Sequence, residues 1–152
     1  MPATPPNTAA SSTIDFVEDD NATCAEALWQ AFFVLNKITD GKTDGEGACA
    51  LRLNGLRTLA SYQCDDELLV VKIQLGVLPK VANLRSAFCE ALLVQATDLI
   101  EGDVVGIDPV EDAAVYQRTL SLSDLSAQDL TNELWDMVDA VSDLQLQLPP
   151  LA

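Results

Sequence analysis

The 152-residue sequence contains no histidine. This absence excludes serine–histidine and cysteine–histidine nucleophile pairs, imidazole metal sites and the side chain most often used as a general base near neutral pH. Cysteine occurs four times, at positions 24, 49, 64 and 89, and never in a C-x-x-C spacing. A zinc site is therefore not expected, and the sequence predicts no metal and no cofactor.

Positive charge and aromatic side chains are also scarce. Eight Lys and Arg residues stand against 24 Asp and Glu residues, which gives a formal net charge of −16, and only 5% of the residues are aromatic. Such an acidic chain repels nucleic acid and anionic membranes; the acidity either attracts basic or amphipathic polypeptides or serves solubility alone. Hydrophobic residues nevertheless make up 49% of the chain, so we expect burial against a second copy or another protein.

The first 13 residues, MPATPPNTAASST, lack the basic and apolar segments of a secretory signal peptide. The apolar runs are too short for a membrane span, and Lys72 interrupts the longest of them. We therefore expect a reducing cytoplasm with free, mostly buried thiols. The composition predicts a disordered extension over residues 1–22, one domain over 23–148 and a short tail over 149–152.

Hydrophobic periodicity predicts three helices, at about 24–38, 83–99 and 127–146. Three strands lie between the first two helices, and Asn54-Gly55 joins the first pair in a tight hairpin. Two further strands, 103–108 and 113–121, precede the last helix. The order helix, three-stranded antiparallel meander, helix, two strands, helix indicates an α+β fold.

Capping signals and apolar faces refine this prediction. Thr23 with Glu26, and Ser126 with Asp129, form capping boxes that begin the first and last helices. The third strand of the meander places one apolar face toward the core, formed by Leu69, Val71, Ile73, Leu75 and Val77. The first two helices have apolar arcs wider than one stripe, which either fill the core or contact another chain. The last helix has an acidic side that is either a solvated face or a surface for a basic partner, formed by Asp129, Glu133, Asp136, Asp139 and Asp143.

The loop DGKTDGEG, residues 40–47, contains the tripeptide GKT. A phosphate-binding loop would need a glycine at position 36, which is Asn, and the alternating carboxylates of a calcium loop are also missing. We therefore interpret the segment as a flexible connection.

Acid clusters are the remaining candidates for catalysis. One lies in DPVED, residues 108–112, with Asp124 further along, and the other comprises residues 65–67. Paired acids hydrolyse glycosides and clustered acids hold magnesium. Both clusters fall at predicted turns, without a phosphate loop, a glycine-rich cradle or an aromatic sugar platform. Asp108 and Pro109 fit the first two positions of a type I turn whose tip Glu111 and Asp112 keep soluble, so no enzymatic activity is expected.

Two long stretches carry a family resemblance. CALRLNGLRTLASYQCDDELLVVKIQLGVLP combines a hairpin, a third strand and an ending of a small residue, Leu and Pro. LRSAFCEALLVQATDLIEGDVVGIDPVEDAAVYQRTLSL combines a helix, a DP turn and a QRTL-like strand, and the capped acidic helix follows it. In order, spacing, size and acidity, residues 23–147 resemble the class I chaperones of bacterial type III secretion, typified by the Tir chaperone.

The resemblance implies a cytoplasmic homodimer without enzymatic activity. Such a dimer binds the extended N-terminal segment of secreted effector proteins, keeps them competent for export and passes them to the secretion ATPase. The Leu-rich, acidic composition is similar to that of the general, multi-effector chaperones of plant pathogens. The dimer interface implied for this chain comprises Phe88, Leu92, Val104 and Ile107. The effector-binding groove implied for it comprises Leu28, Phe32, Phe33 and Leu75.

A different class of function stays open on charge alone. An acidic inhibitor or nucleic-acid mimic would bind a basic partner through its carboxylates instead of through grooves. Because salt screens exposed charges, such a complex would weaken steeply as salt rises, whereas binding in apolar grooves would largely persist.

Overall fold

The computed structural model describes residues 24–63, 67–99 and 101–151. Within these residues there are three helices: α1 over residues 24–35, α2 over Ala82–Ala96 and α3 over Ala127–Gln147. The six strands are β1 (Lys42–Thr43), β2 (Cys49–Leu53), β3 (Leu56–Gln63), β4 (Leu68–Val77), β5 (Asp103–Asp108) and β6 (Ala113–Ser121). The α+β class is confirmed.

The strands form one antiparallel sheet in the order β1-β2-β3-β4-β6-β5. Asn54 and Gly55 join β2 to β3 with φ angles of 51° and 79°, the two positive values that a type I′ hairpin turn requires. The predicted hairpin is therefore confirmed, as are the predicted bounds of β5 and β6. The order leaves β1 and β5 at the two edges of the described sheet.

All three helices contribute to one apolar core on a single face of the sheet, here called the inner face. In β2 the burial alternates strictly, with Cys49, Leu51 and Leu53 facing the core. The fully buried aromatic residues of this core are Trp29, Phe32, Phe88 and Tyr116. On the opposite face, here called the outer face, Leu59 and Lys72 are exposed. The sheet is therefore covered on one side only by the described residues.

Helix α3 begins as the sequence predicts. The Ser126 side chain accepts a hydrogen bond from the Asp129 backbone N–H at 3.0 Å, and the Asp129 carboxylate accepts one from the Ser126 N–H at 3.2 Å. The capping box is thus confirmed. The other predicted capping box begins at Thr23, which lies outside the described residues. The predicted turn at 65–66 and the predicted extension over residues 1–22 also lie outside them.

Four details of the fold differ from the prediction. Helix α2 covers Ala82–Ala96 instead of 83–99. Helix α1 ends at residue 35 instead of 38, because Lys37 adopts a left-handed φ of 56°. The loop at 40–47 contributes strand β1, with Lys42 opposite Ala50. Val77 is 48% exposed instead of buried, because a bulge between Gln74 and Gly76 reverses the alternation and turns Leu78 inward.

The cysteines also differ in part from expectation. The described cysteines are free thiols, but only Cys49 is buried, while Cys24 is exposed and Cys89 half-buried. Burial, with a smaller contribution from the charge of Glu26, raises the pKa of the Cys49 thiol to about 12. Cys49 is therefore an unreactive core residue. Cys64 lies outside the described residues.

Candidate functional site

The four residues implied to line a groove lie in the core. The exposed fractions of Leu28, Phe32, Phe33 and Leu75 are 9%, 0%, 6% and 4%. The Phe33 ring packs against Gly41, where a Cβ atom would lie 2.5 Å from the ring, and the Trp29 Nε1–H donates to the Gly47 carbonyl at 3.2 Å. The sheet and the 40–47 loop therefore cover much of the wide apolar arc of α1, but Val34 and Leu35 in that arc are exposed. In this conformation these side chains form no open groove, and their contact with an effector stays a prediction.

Leu75 borders an open cavity. Together with Gly76, Phe88 and the C-terminal residues 148–151, it lines a cavity of about 490 Å³ at the bulge of β4. The Gln145 Nε2 donates to the Leu75 carbonyl at 3.0 Å, and the Leu151 side chain packs on Gly76 in place of a Cβ atom. The residues after α3 thus fold back over the sheet and partly close this cavity.

The residues implied for the dimer interface separate into two pairs. Phe88 and Leu92 are 1% and 4% exposed and belong to the core of the protomer. Val104 and Ile107, on edge strand β5, are 52% and 39% exposed. Helix α2 contacts β5 and exposes three more large apolar side chains, Leu84, Leu93 and Val94. Ile107 lies on the same face of the sheet as α2, whereas Val104 is in register with Gln117 and Lys72 on the outer face. We call these five exposed residues, which flank the β5 edge on both faces, the α2–β5 surface: Leu84, Leu93, Val94, Val104 and Ile107.

Sequence periodicity placed Leu93 and Val94 in the wide apolar arc of this helix but could not tell which of its residues face outward. Exposure is decided by the position of α2 over the sheet, which depends on contacts distant in sequence. Leu84 carried no separate signal, since a single leucine at the start of a helix fits either side. The sequence therefore left open which apolar residues of α2 are exposed, and the dimer interface stays a prediction.

Both edges of the sheet present backbone groups without a further strand in the described part of the chain. At the β1 edge, a cavity of about 420 Å³ adjoins the strand and is lined by Lys42, Thr43, Asp44, Ala48, Cys49, Ala50, Leu59 and Ala60. An extended peptide that adds a strand at such an edge gains main-chain hydrogen bonds, while adjacent apolar pockets receive its side chains. The geometry therefore suits an extended polypeptide ligand better than a small polar substrate.

A buried ion network ties edge strand β5 to the rest of the molecule. Arg118 on β6 donates to both oxygens of Asp103 on β5, from Nε at 2.8 Å and from Nη2 at 2.7 Å, and the Tyr116 hydroxyl donates to the same carboxylate. The Arg118 Nη1 also donates to Glu133 and Asp136 of α3, each at 3.0 Å. One guanidinium therefore links β5, β6 and α3.

The network perturbs each of its central groups. Burial acts to raise the pKa of Asp103, but hydrogen bonds from Arg118 and Tyr116 outweigh it and hold that pKa below its usual value. Burial, followed by the bond to Asp103, raises the pKa of Tyr116 to about 12. The bond to Asp103 is also the largest cause that raises the pKa of Arg118. Asp103 is accordingly ionised and Tyr116 neutral over the physiological range.

The acids of DPVED are structural, as the predicted turn implies. The Asp108 Oδ1 accepts from the Val110 N–H at 2.9 Å and so closes the turn between β5 and β6. Asp112 does more than keep the tip soluble, because Arg85 of α2 binds its two oxygens at 2.6 and 2.8 Å. That hydrogen bond is the main cause that lowers the pKa of Asp112 to about 2. This ion pair could not be predicted from the sequence, because its partners lie 27 residues apart.

No group of three or more His, Cys, Asp or Glu side chains in the described residues is arranged to hold a metal ion. The acidic side predicted for α3 is also partly engaged, since Asp129 caps the helix and Glu133 and Asp136 bind Arg118. Across residues 24–63, 67–99 and 101–151, none of the helices is long and apolar enough to cross a membrane.

Comparison with known proteins gives a family match and several structural matches. The model of the Tir chaperone protein (CesT) family matches residues 18–145, most of the sequence. Comparison with individual curated proteins gives no significant match.

Three solved structures share the fold. The type III secretion chaperone SycH of Yersinia pestis, in complex with a stable fragment of YscM2, is 18% identical, with a TM-score of 0.55 over 79% of this chain and 98% of its own. SchA, from the HopA1–SchA chaperone–effector complex, is 16% identical, with a TM-score of 0.63 over 82% and 94%. The ExsC–ExsE complex gives 15% identity and a TM-score of 0.59 over 83% and 94%.

Proposed function

The chain belongs to the Tir chaperone protein (CesT) family, and we propose that it is a type III secretion chaperone that binds the extended N-terminal segment of one or more secreted effectors and keeps them competent for export. The observation that carries this proposal is the family match over residues 18–145. Two open sheet edges and the apolar cavity beside β1 support it, because they suit an unfolded polypeptide. The chain acts in the bacterial cytoplasm, without catalysis, and passes its cargo to the secretion ATPase.

The binding experiment uses the protein as bait in a bacterium that secretes through a type III system. The tagged full-length chain is purified, and the proteins that remain bound are identified by mass spectrometry. We expect secreted effectors, and we expect each complex to be lost when the N-terminal segment of its effector is deleted. Recovery of no secreted protein, or unchanged binding of effectors without that segment, would contradict the proposal.

A salt series separates this function from a charge mimic. Binding that depends on edge-strand hydrogen bonds and apolar pockets persists when salt is raised from 0.1 to about 1 M, where the Debye length falls to about 3 Å. Binding by carboxylates alone disappears over the same range. Loss of every partner at high salt would therefore favour the acidic inhibitor over the chaperone.

We also propose that the protein is a homodimer that pairs through the α2–β5 surface. Five large apolar side chains are exposed there beside an open strand edge, and such a surface is costly to leave in water. Phe88 and Leu92 support this interface from the core instead of forming it.

The dimer is tested by light scattering on two matched variants. Leu93 on α2 is 70% exposed and Leu146 on α3 is 84% exposed, so aspartate at either site adds the same charge at low cost to folding. We expect Leu93→Asp to give a folded monomer of 16.3 kDa, and Leu146→Asp to keep the mass of the wild-type dimer. A wild-type protein that is monomeric at micromolar concentration would contradict the dimer but not the binding of effectors.

A further inference from the structure

The cavity at the bulge of β4, here called the bulge cavity, is partly occupied by the chain itself. Leu75, Gly76 and Val77 line it from the sheet, Phe88 lines it from α2, and residues 148–151 line it from the end of α3. About 490 Å³ stays open beside that last segment. The protein therefore shows what kind of chain fits the cavity and leaves space next to it.

The bulge explains why a side chain from another segment can enter the sheet here. The register of β4 against β6 shifts between Gln74 and Gly76, so Leu75 is an extra residue without a partner on β6. Gly76 has a φ angle of 153°, which L side chains rarely adopt, and it carries no Cβ atom. The Leu151 Cδ1 lies 2.5 Å from the position that this Cβ would take. Gly76 therefore forms a socket that the Leu151 side chain fills.

The lining of the bulge cavity suits an uncharged ligand. None of the described residues that line it is charged, and among them Gln145 alone has a polar side chain. The Gln145 Nε2 donates to the carbonyl of the unpaired bulge residue Leu75 at 3.0 Å. An ionic ligand would lose water here without meeting an opposite charge, whereas leucine and proline side chains would meet apolar surface. The cavity therefore fits an apolar, extended polypeptide.

Residues 149–151 are held less firmly than the helix before them. Leu148 is 7% exposed and belongs to the core, but Leu151 is only half-buried. Pro149 and Pro150 have no backbone N–H and donate no hydrogen bond to the sheet. Full burial of one leucine side chain favours a bound state by about 10- to 100-fold, so a half-buried leucine favours it by about tenfold. The segment is thus bound most of the time and released often enough to be replaced.

From these observations we propose that residues 149–151 are a displaceable cover, and that the bulge cavity binds a leucine of an extended, proline-containing segment from a partner protein. The partner's leucine takes the socket at Gly76 that Leu151 fills in the free protein. The two prolines of the cover show which backbone fits, since proline holds φ near −65° and favours an extended chain. That the partner is a secreted effector rests on the proposed function, but the site and its cover do not.

Binding of a synthetic peptide tests both parts of the proposal. The probe is the acetylated peptide LPPLA, the sequence of residues 148–152, and the NMR methyl signals of Leu75 and Val77 report its binding. We expect weak binding to the wild type and about tenfold tighter binding after deletion of residues 149–152 or in Leu151→Asp, because the competing cover is removed. The peptide with aspartate in place of its second leucine should not bind.

Leu146→Asp is the matched control variant. It adds the same charge near the end of α3, but Leu146 is 84% exposed and is not part of the cavity lining, so this variant should bind the peptide like the wild type. Equal affinities of the wild type and the deletion variant would overturn the cover. Absence of binding to the deletion variant, or equal binding of the aspartate peptide, would overturn the site.

A mixing experiment identifies the chain that supplies the cover. Isotopically labelled deletion variant is mixed at micromolar concentration with unlabelled wild-type protein, and we expect its Val77 signals to stay unchanged. Recovery of the wild-type signals would assign the segment to a second copy and would overturn an intramolecular cover. Because neither assay contains an effector, their failure would leave the chaperone function untouched, and failure to recover effectors would leave the peptide site untouched.

Discussion

On the inner face of the sheet Arg118 is 7% exposed and binds three carboxylates, whereas on the outer face Arg52 and Lys72 are exposed. The helices make the difference, since they exclude water from one face only. A buried guanidinium without partners would cost several kcal/mol, and each of the three nitrogens of Arg118 donates to a carboxylate. The outer basic residues stay solvated and need no partner to be tolerated.

The two faces therefore contribute differently to the molecule. The inner face supplies folding stability, and its residues are poorly available to other chains. The outer face and the sheet edges are not covered by the described helices, and we expect substitutions there to cost little stability. Substitutions of one residue type on the two faces test this division, and we consider them from the largest expected effect to the smallest.

The largest effect is expected for Phe32→Asp. Phe32 is fully buried between Trp29 and Phe33, with ring centroids 5.7 and 6.2 Å away, so an aspartate there would be a buried charge without a partner. That cost is comparable to the total stability of about 5–15 kcal/mol typical of small proteins, and we expect no cooperative unfolding transition. Circular dichroism during urea titration measures this.

Leu59→Asp is the control on the outer face, where the side chain is 37% exposed, and we expect it to fold. The pair also tests the groove implied for α1. If Phe32→Asp folded normally but lost effector binding, Phe32 would be accessible to ligands as the family resemblance implies, and the division between the two faces would fail.

Arg118→Leu is expected to have the next largest effect. The change leaves Asp103, whose side chain is 2% exposed, without its guanidinium, and removal of one partner from a buried ion pair costs about 3–5 kcal/mol. Arg57→Leu, which breaks an exposed pair with Glu111, should cost less than about 1 kcal/mol. Urea denaturation gives both free energies of unfolding.

The double variant Asp103→Asn/Arg118→Leu separates the lost pair from the stranded charge. We expect it to be more stable than Arg118→Leu, because asparagine is neutral and still accepts the hydrogen bond from the Tyr116 hydroxyl. Equal costs for Arg118→Leu and Arg57→Leu would show that water reaches the inner network and that the helices do not shield it.

A moderate effect is expected for Asp103 on the free energy of unfolding at acid pH. Its pKa is lowered in the folded protein, so the folded state binds fewer protons than the unfolded chain near pH 4. The stabilisation that results from this difference is fully present above the unfolded pKa of about 4, and it is lost as the pH falls through the lowered pKa of the folded state. We expect the free energy of unfolding to decrease below about pH 4, and to decrease less steeply in Asp103→Asn.

Asp139→Asn, at an exposed position of α3, is the matched control. Its free energy of unfolding should decrease at acid pH as steeply as that of the wild type. Asp112 also has a lowered pKa, about 2, so Asp103→Asn is expected to reduce the pH dependence of the free energy of unfolding and not to abolish it. An unchanged steepness of this decrease in Asp103→Asn would contradict the role given to the network.

The order of elements could be predicted from the sequence because its signals are local. Asn54-Gly55 specifies the hairpin, Ser126 with Asp129 specifies the start of α3, and alternation over β2 identifies its buried side. Strand β1 was missed because two residues in a loop carry no periodicity, and Val77 was misplaced because a bulge interrupts the period of β4. Each error follows from a feature that depends on pairing between strands.

The candidate surfaces were harder to predict, for a related reason. Phe88, Leu93 and Leu84 are all apolar residues of α2, and only the packing of the helix on the sheet makes the first buried and the others exposed. The partners of Arg118 lie 15 to 18 residues away in sequence, and no local pattern links them. The family resemblance implied an interface at α2 and β5, but only the tertiary structure shows which of their apolar residues are exposed.

The smallest effect is expected for Leu59→Ala, and its matched partner makes it the sharpest comparison of the two faces. Leu51 and Leu59 lie on the neighbouring strands β2 and β3, but Leu51 faces the core and is 5% exposed while Leu59 faces outward and is 37% exposed. Leu51→Ala should cost about 2–5 kcal/mol through lost burial and a cavity. Leu59→Ala should change the free energy of unfolding by less than about 1 kcal/mol, because the outer face lacks packed neighbours and most surface changes are small. If Leu59→Ala instead cost as much as Leu51→Ala, Leu59 would be packed under a cover that is stable in the free protein, and the outer face would contribute to folding like the inner one.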